Sequence, residues 1–542
     1  MSESRFAVPG GSDSPRVPLD VAFPQESPVR RKAQAAEFAR KPLIWTELLK
    51  WAFSFPAMLG AILVGRVFYE ARDFFVDPDV WWHIKTGQNI LATRHWPTTD
   101  PYSSTVAGQP WLAYEWLAEV MLAAVARVGG NWGLDVFLIV WASLVMLAVY
   151  HLATLRSGNS KAGFLSALAL CSLAFGSLTL RPQMIAYLYL VITLIVLELF
   201  RKGHRRVLWL LPPLFLMWVN THGSWIFGLG VVFVTLVGGI WEIRIGGVEA
   251  HRWTLPERVQ LELALLGSLV MLPLTPYGVQ TVAYPFEVAF KLQLGVANVL
   301  EWQSMPFNLV GGKIFLGLLL GFIAVQVLCA FVWRVDELAL FLFGTMMACL
   351  HLRFVLIFVP FFAPIMATAL ARWLPGYEKK KEHYFLNAIL MAGVATCLFI
   401  YFPTKSDIRD RVTERFPIET TKYLAEHPLS GRLYNSYGFG GYLIGAGQKV
   451  FVDGRADPYE RGGALADYLA IERLKPTAFW LLDAYQVKAC LVQPDEVLAA
   501  ALANSPDWIK VASDKASILF VRKDHTLGHA VVPSLPATGG EP

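Results

Sequence analysis

A polytopic bundle of membrane-spanning helices with a small α/β domain at its C-terminal end is the fold this sequence predicts. Of the 542 residues, 55% are hydrophobic and only 16% are charged, whereas soluble domains carry about a quarter charged residues. The 19 tryptophans and 35 phenylalanines suit aromatic belts at two membrane interfaces. After Pro403 the composition turns into that of a soluble domain, with charged residues between short apolar runs. The net charge of +5 is small for this length and gathers in a few loops, a pattern that orients a membrane protein and does not suggest nucleic-acid binding. Cys171, Cys329, Cys349 and Cys397 fall in apolar segments and Cys490 stands alone in the tail, so no disulfide framework or zinc site is indicated.

Residues 1–42 are polar and lack the apolar centre of a signal peptide. They read as a disordered cytosolic tail, held inside by Arg30, Arg31, Lys32, Arg40 and Lys41. The bundle occupies 43–402. Its first span lies within 43–69 and runs outward, into a loop at 70–110 on the external face. The next apolar segment, 111–128, carries Glu115 and Glu119. Counted as a span, it would put the basic run from Arg201 to Arg206 outside; laid in the interface as an amphipathic helix, it keeps that run inside. About twenty apolar residues cross a bilayer. Further spans then fall at 134–155, 162–179, 184–200, 207–219, 225–243, 259–273, 314–333, 337–351, 354–372 and 384–402, roughly eleven in all. Lys379, Lys380 and Lys381 land inside, and the α/β domain, 403–542, lands on the external, periplasmic side of an inner membrane. In that domain 449–453 and 489–492 read as buried strands, 508–512 and 516–522 as a strand pair, and 418–426 and 463–474 as helices. The end, 533–542, reads as frayed.

Within this frame one stretch stands out, DPDVWWHIKTG at 77–87. Two carboxylates, a histidine, a lysine and a tryptophan pair lie together at a membrane boundary, where charge is costly unless it serves a site. Asp79 precedes a helical stretch, so capping is the structural alternative to catalysis. Trp81 and Trp82 read as membrane anchors or packing groups. The topology places Arg181, His222, Glu301, His351 and Arg353 on the same face as Asp77, Asp79 and His83. Acids on one loop thus meet Arg and His from several others. That set fits sugar transfer from a lipid phosphate, with a carboxylate as general base and cationic groups on the leaving phosphate. In VDGRADPY, with Asp453, Arg455 and Asp457, an internal Asp–Arg ion pair is favoured over a ligand site.

A first outward span, a long external loop with an early acidic motif and an interfacial helix resemble the GT-C superfamily of membrane glycosyltransferases. DPDVWWHIKTGQNI followed by PTTDPYSST is similar to the first loop of oligosaccharyltransferase catalytic subunits. On that resemblance Asp79 takes the place of the catalytic aspartate and Asp77 that of the acid before it. VLEWQSM is similar to a later motif whose glutamate falls on Glu301, and YGFGGYL is faintly similar to an acceptor-reading motif, without its Trp-Trp-Asp. Where those enzymes carry acidic metal ligands after the third span, this chain reads Leu180, Arg181, Pro182, Gln183.

The resemblance implies a hexosyl- or pentosyl-transferase that takes a sugar or glycan from a polyprenyl-phosphate carrier, with Asp79 and Asp77 as catalytic residues. His83, Arg181, His222, Glu301 and Arg353 would contact donor phosphate or substrate. It implies a glycan, lipid or protein acceptor and the lipid bilayer as partners, no nucleic acid, and a divalent metal, Mg or Mn, as the one cofactor left open. A transporter or flippase for lipid-linked sugars, or a non-catalytic envelope assembly protein, are the alternatives. A transporter would show internal repeats and ionisable groups at mid-membrane, whereas here the polar groups gather at one face.

Overall fold

In a computed structural model of the chain the described residues are 44–72, 77–174, 178–328 and 331–523. The tail 1–42, Cys329 and the chain end 533–542 lie outside them. Helix α1 (Ile44–Ala52) belongs to a unit of its own. The second unit is mainly helical, with two small sheets. It begins with α2 (Phe55–Ala71), α3 (Val80–Thr93), α4 (Trp116–Ser157), α5 (Ser160–Ala174) and α6 (Pro182–Arg201). Then come α7 (Leu211–Val219), α8 (Trp225–Val237), α9 (Leu255–Met271), α10 (Val279–Phe290) and the short α11 (Gln293–Asn298). Helices α12 (Val310–Leu328), α13 (Val335–Leu350), α14 (Val355–Leu370) and α15 (Tyr384–Tyr401) complete the bundle.

Among the described residues five helices are long and apolar enough to cross a membrane, α4, α6, α12, α15 and α14 with the turn before it. This corrects the expectation of about eleven spans. The apolar runs at 162–179, 207–219, 225–243, 259–273 and 337–351 fold as helices of 15, 9, 13, 17 and 16 residues. At 1.5 Å per residue even the longest is about 25 Å, short of a hydrocarbon core of about 30 Å. Hydropathy did not register the breaks: a 3-10 turn at Arg205–Leu210 shortens one run, and Gly238 ends α8. In α4, Gly130 at φ 55° takes a backbone conformation that costs other residues strain, and kinks the helix. The segment expected to lie in the interface is the arm before that kink.

Helix α14 is the most enclosed of the five, packed by α4, α5, α6 and α13. Helices α12 and α15 leave most of their apolar surface open, Leu320, Ile323, Phe385 and Phe399 among it, as lipid-facing helices do. At one end of the bundle lies a sheet not foreseen from sequence, in which β1 (Ile243–Ile245) pairs antiparallel with β2 (Val248–Ala250), and β2 parallel with β3 (Trp333–Arg334). There Arg156 grips Glu337 at 2.5 and 3.1 Å, Arg201 pairs with Asp336 at 2.8 Å, and Arg334 with Glu198 and Glu337 at 2.8 and 2.7 Å. These pairs compensate acids that would otherwise be buried alone.

The C-terminal layer carries α16 (Lys405–Arg415), α17 (Ile418–Glu426), α18 (Gly440–Gly445), α19 (Ala456–Arg461) and α20 (Ala464–Glu472) around a four-stranded sheet. Its strands are β4 (Arg432–Asn435), β5 (Val487–Val492), β6 (Trp508–Ser513) and β7 (Ile518–Arg522), in the order β4-β5-β7-β6. The β6–β7 pair and β5 fall where apolar runs predict them. Residues 449–453 do not form a strand: Val450 makes a single bridge to Ser103 of the loop after α3. Strand β4, parallel to β5, was not foreseen, since Arg432 to Asn435 has too few apolar residues to show a pattern.

Arg455 ties this layer to that loop. It is bidentate to Asp453 at 2.8 and 2.6 Å and pairs with Asp100 at 2.8 Å, with its guanidinium 4.6 Å from the Trp111 ring centre. The ion pair expected within VDGRADPY therefore exists and extends to a second carboxylate on the loop.

Candidate active site

Helix α3 begins at Val80 because Asp77 sets its entry, with Asp77 Oδ1 accepting the Asp79 N–H at 2.9 Å. Asp79 stands in the cap position but makes no side-chain capping bond, so the structural alternative for it does not hold. Its Oδ2 faces Arg181 Nη2 at 3.0 Å, and its Oδ1 accepts the Trp82 indole N–H at 3.3 Å. Arg181, just before Pro182 opens α6, also donates from Nε to Asp77 Oδ2 at 2.7 Å and from Nη1 to Glu301. Acids from two distant parts of the chain, Asp77 with Asp79 and Glu301, thus close around one guanidinium. Burial raises the Asp79 carboxyl to about 6, against the pull of Arg181 and with help from Asp77 and Glu301.

Trp82 and Trp81 serve as packing groups. Trp82 is buried, edge-on to Trp111, and Trp81 meets Phe416 and Tyr442 edge-on. YGFGGYL packs over them. A Cβ on Gly441 would overlap the Pro78 carbonyl, and one on Gly454, at the foot of α19, would overlap the Asp79 carboxylate itself. Gly454→Ala is therefore expected to push the Asp79 carboxylate from its place against Arg181 and to lower the melting temperature, which a melting curve checks.

Asp79, His83, Arg181, His222, Glu301 and Arg353 line one cavity of about 1000 Å³, with Asp77 behind Arg181. Arg353 lies 4.2 Å from the Trp302 ring centre and donates to Gln183 Oε1 at 3.3 Å. Among the described residues no carboxylate pairs with it, which sets it apart from Arg181 and Arg455 in the same wall. His222 is neutral at neutral pH, burial and then Arg353 pushing its imidazole down to about 3. Burial, followed by Arg181, lowers His83 well below its usual range. His351 is occupied by the Trp302 carbonyl at 2.6 Å.

The segment bearing Glu301 is held from the C-terminal layer. Glu460 accepts the Leu294 and Gly295 N–H groups, each at 2.8 Å, and Arg461 Nε reaches Glu287 at 3.2 Å. Sequence reasoning missed Glu460, Gly454, Trp302 and Tyr437, all of which line the cavity. It saw Glu115 and Glu119 only as a topological puzzle. Their spacing of four on a helix, facing the arm that carries His83, was the available signal.

For a divalent cation the residues do not fit. Around Asp79 the acids are Asp77, Asp79 and Glu301, and the Arg181 guanidinium stands between them. Among the described residues no group of three or more His, Cys, Asp or Glu is arranged to hold a metal.

From the polar end the cavity continues between apolar helices, past Phe227, Val231 and Val234 of α8 and Leu340, Phe343 and Met347 of α13. From Phe227 to Val234 this groove runs about 10 Å along the helix axis.

No family model matches the chain, and no curated protein matches it. Solved structures similar to it include an oligosaccharyltransferase of Archaeoglobus fulgidus tethered to an acceptor peptide containing the NVT sequon, with 12% identity over 80% of this chain and 68% of that one, at a TM-score of 0.48. ArnT from Cupriavidus metallidurans bound to undecaprenyl phosphate has 14% identity over 88% of this chain and 97% of that one, also at 0.48. At these scores the residues of the site, rather than the likeness, have to carry a functional reading.

Proposed function

We propose that this protein is a membrane glycosyltransferase that moves a sugar from a polyprenyl-phosphate carrier to an acceptor hydroxyl or amide, with Asp79 as general base. The observation that carries the reading is the Asp79 carboxylate itself. It is released from capping, is held by Arg181 and faces a cavity that runs on into an apolar groove. A base needs reach and a suitable pKa, and burial brings Asp79 to about 6, so it is ionised at neutral pH yet still basic enough to take a proton. In the reaction the acceptor atom bonds to the sugar C1 and passes its proton to Asp79, while the C1–O bond to phosphate breaks with its electron pair on the phosphate oxygen. Arg353, free of carboxylates, stabilises that developing charge. Arg181, first read as a phosphate ligand, is assigned to neutralising the three acids, and Asp77 to fixing both Asp79 and Arg181. His83, His222 and Glu301 complete the substrate-facing wall. The apolar groove takes the prenyl chain.

Gly230 tests the groove. It lines the cavity on α8, and a Cβ there meets nothing within 4 Å. Gly230→Leu should fill the groove without strain and raise KM for a long-chain donor about tenfold, about 1.4 kcal/mol, while leaving short-chain donors unaffected. Equal KM values for long-chain donors in both proteins would remove the groove from the proposal.

A further inference from the structure

Glu115 stands directly before α4, buried, and lines the cavity. Its carboxylate is flanked by two imidazoles, His222 Nε2 at 3.4 Å from Oε1 and His83 Nε2 at 4.0 Å from Oε2. The other nitrogen of His83 faces Glu119 Oε1 at 3.4 Å. The result is an alternation, Glu119–His83–Glu115–His222, all four lining the cavity. Among the described residues no arginine or lysine pairs with Glu115. The charged and titratable groups facing it are Asp79 before α3 and His83 within it, Tyr114 and Glu119 on its own segment, Arg181 before α6, His222 before α8, Tyr284 of α10 and Arg353 before α14.

We infer that Glu115 is the proton donor to the leaving phosphate, opposite Asp79 as the base. This rests on the glycosyl-transfer reading. A buried carboxyl between two imidazoles and beside the Tyr114 hydroxyl, facing a cavity in which Arg353 has no carboxylate partner among the described residues, is placed to hold a proton and release it to an oxygen that gains charge beside that arginine. Burial pushes Glu115 up to about 8, against the pull of Arg353 and with help from Asp79, so it is protonated at neutral pH while Asp79 is not. Two carboxyls with environments that separate their protonation states divide acid and base work between them. As C1–O cleavage leaves its electron pair on the phosphate oxygen, Glu115 gives that oxygen its proton. Asp79 holds the acceptor's proton, and one proton passed from Asp79 to Glu115 restores both. The net result is the acceptor's proton on the released phosphate.

The test is the pH profile of kcat for Glu115→Gln in the full-length protein, with the polyprenyl-phosphate sugar that wild type uses. The amide keeps the size and cannot give up a proton. Loss of kcat by about 100-fold or more, a donor KM within threefold and disappearance of the alkaline limb are expected, and Glu115→Asp should restore part of that limb. Arg353→Gln supplies a second readout: without its positive charge the Glu115 carboxyl rises, so the alkaline limb moves to higher pH. A kcat within threefold of wild type in Glu115→Gln, or an alkaline limb that neither variant moves, overturns the assignment while leaving Asp79 in place. A wild type inactive on every such donor overturns the glycosyl-transfer reading and this assignment with it.

Discussion

Asp79→Asn is expected to lower kcat by a factor of about 10³ or more, within the range that a general base contributes, without unfolding the protein. Asparagine keeps the shape that Gly454 and Trp82 pack against and still accepts the Trp82 N–H, but it cannot take a proton. Donor KM should change little, because the phosphate contacts lie with Arg353. Asp77→Asn should cost less, since Asp77 acts by holding the Asp79 N–H and the Arg181 Nε. In wild type kcat should rise with pH through about 6, as Asp79 ionises. The sign follows from its role: the base is active when deprotonated, and burial, opposed by Arg181, puts that transition above the usual carboxylate range. A variant with Asn at position 79, a native melting curve and full activity would remove Asp79 from the chemistry.

Arg181→Gln is expected to have the second-largest effect, and on two observables. It leaves Asp77, Asp79 and Glu301 together without a cation, and breaking a buried charge pair costs about 3 kcal/mol or more, so the melting temperature should fall. Arg181 also lowers the Asp79 carboxyl, so its removal raises that group further. The acid limb of the pH profile should then move to higher pH, and activity at neutral pH should fall because less Asp79 is ionised. The same geometry predicts that a chelator leaves the wild-type rate within about twofold, since a guanidinium stands where the acids could share a metal, with bonds of the charge-assisted kind. Both readings come from one pH series run with and without chelator.

Much of the site could be read from the sequence because its signals are local or follow from charge bookkeeping. The cluster at 77–87 is conspicuous within an apolar chain, and keeping basic loops on one side was enough to bring Arg181, His222, Glu301 and Arg353 to one face. The structure brings these groups around one cavity. The sequence could not show which acid each arginine would hold. Arg181 was read as a phosphate ligand because an arginine at a membrane boundary looks the same whether its partner is a phosphate or three carboxylates far away in the chain. Gly454 and Glu460 were invisible for a related reason: a glycine against Asp79, or a carboxylate on the Leu294 and Gly295 amides, is a tertiary fact with no periodicity behind it. The span count failed on physical grounds of another kind, since hydropathy registers apolar length and not the turns that leave α7 with 9 residues and α8 with 13. The C-terminal sheet was legible where strands are apolar, in β5, β6 and β7, and illegible in β4.

The measurement closest to the central claim is sugar transfer by purified wild-type protein in lipid, offered a panel of polyprenyl-phosphate sugars and, in parallel, the corresponding water-soluble nucleotide sugars. Transfer from at least one polyprenyl-phosphate donor, none from the nucleotide sugars, and loss of that transfer in Asp79→Asn is the predicted result. Movement of an intact lipid-linked sugar across the bilayer without cleavage of its C1–O bond, unchanged in Asp79→Asn, would contradict it.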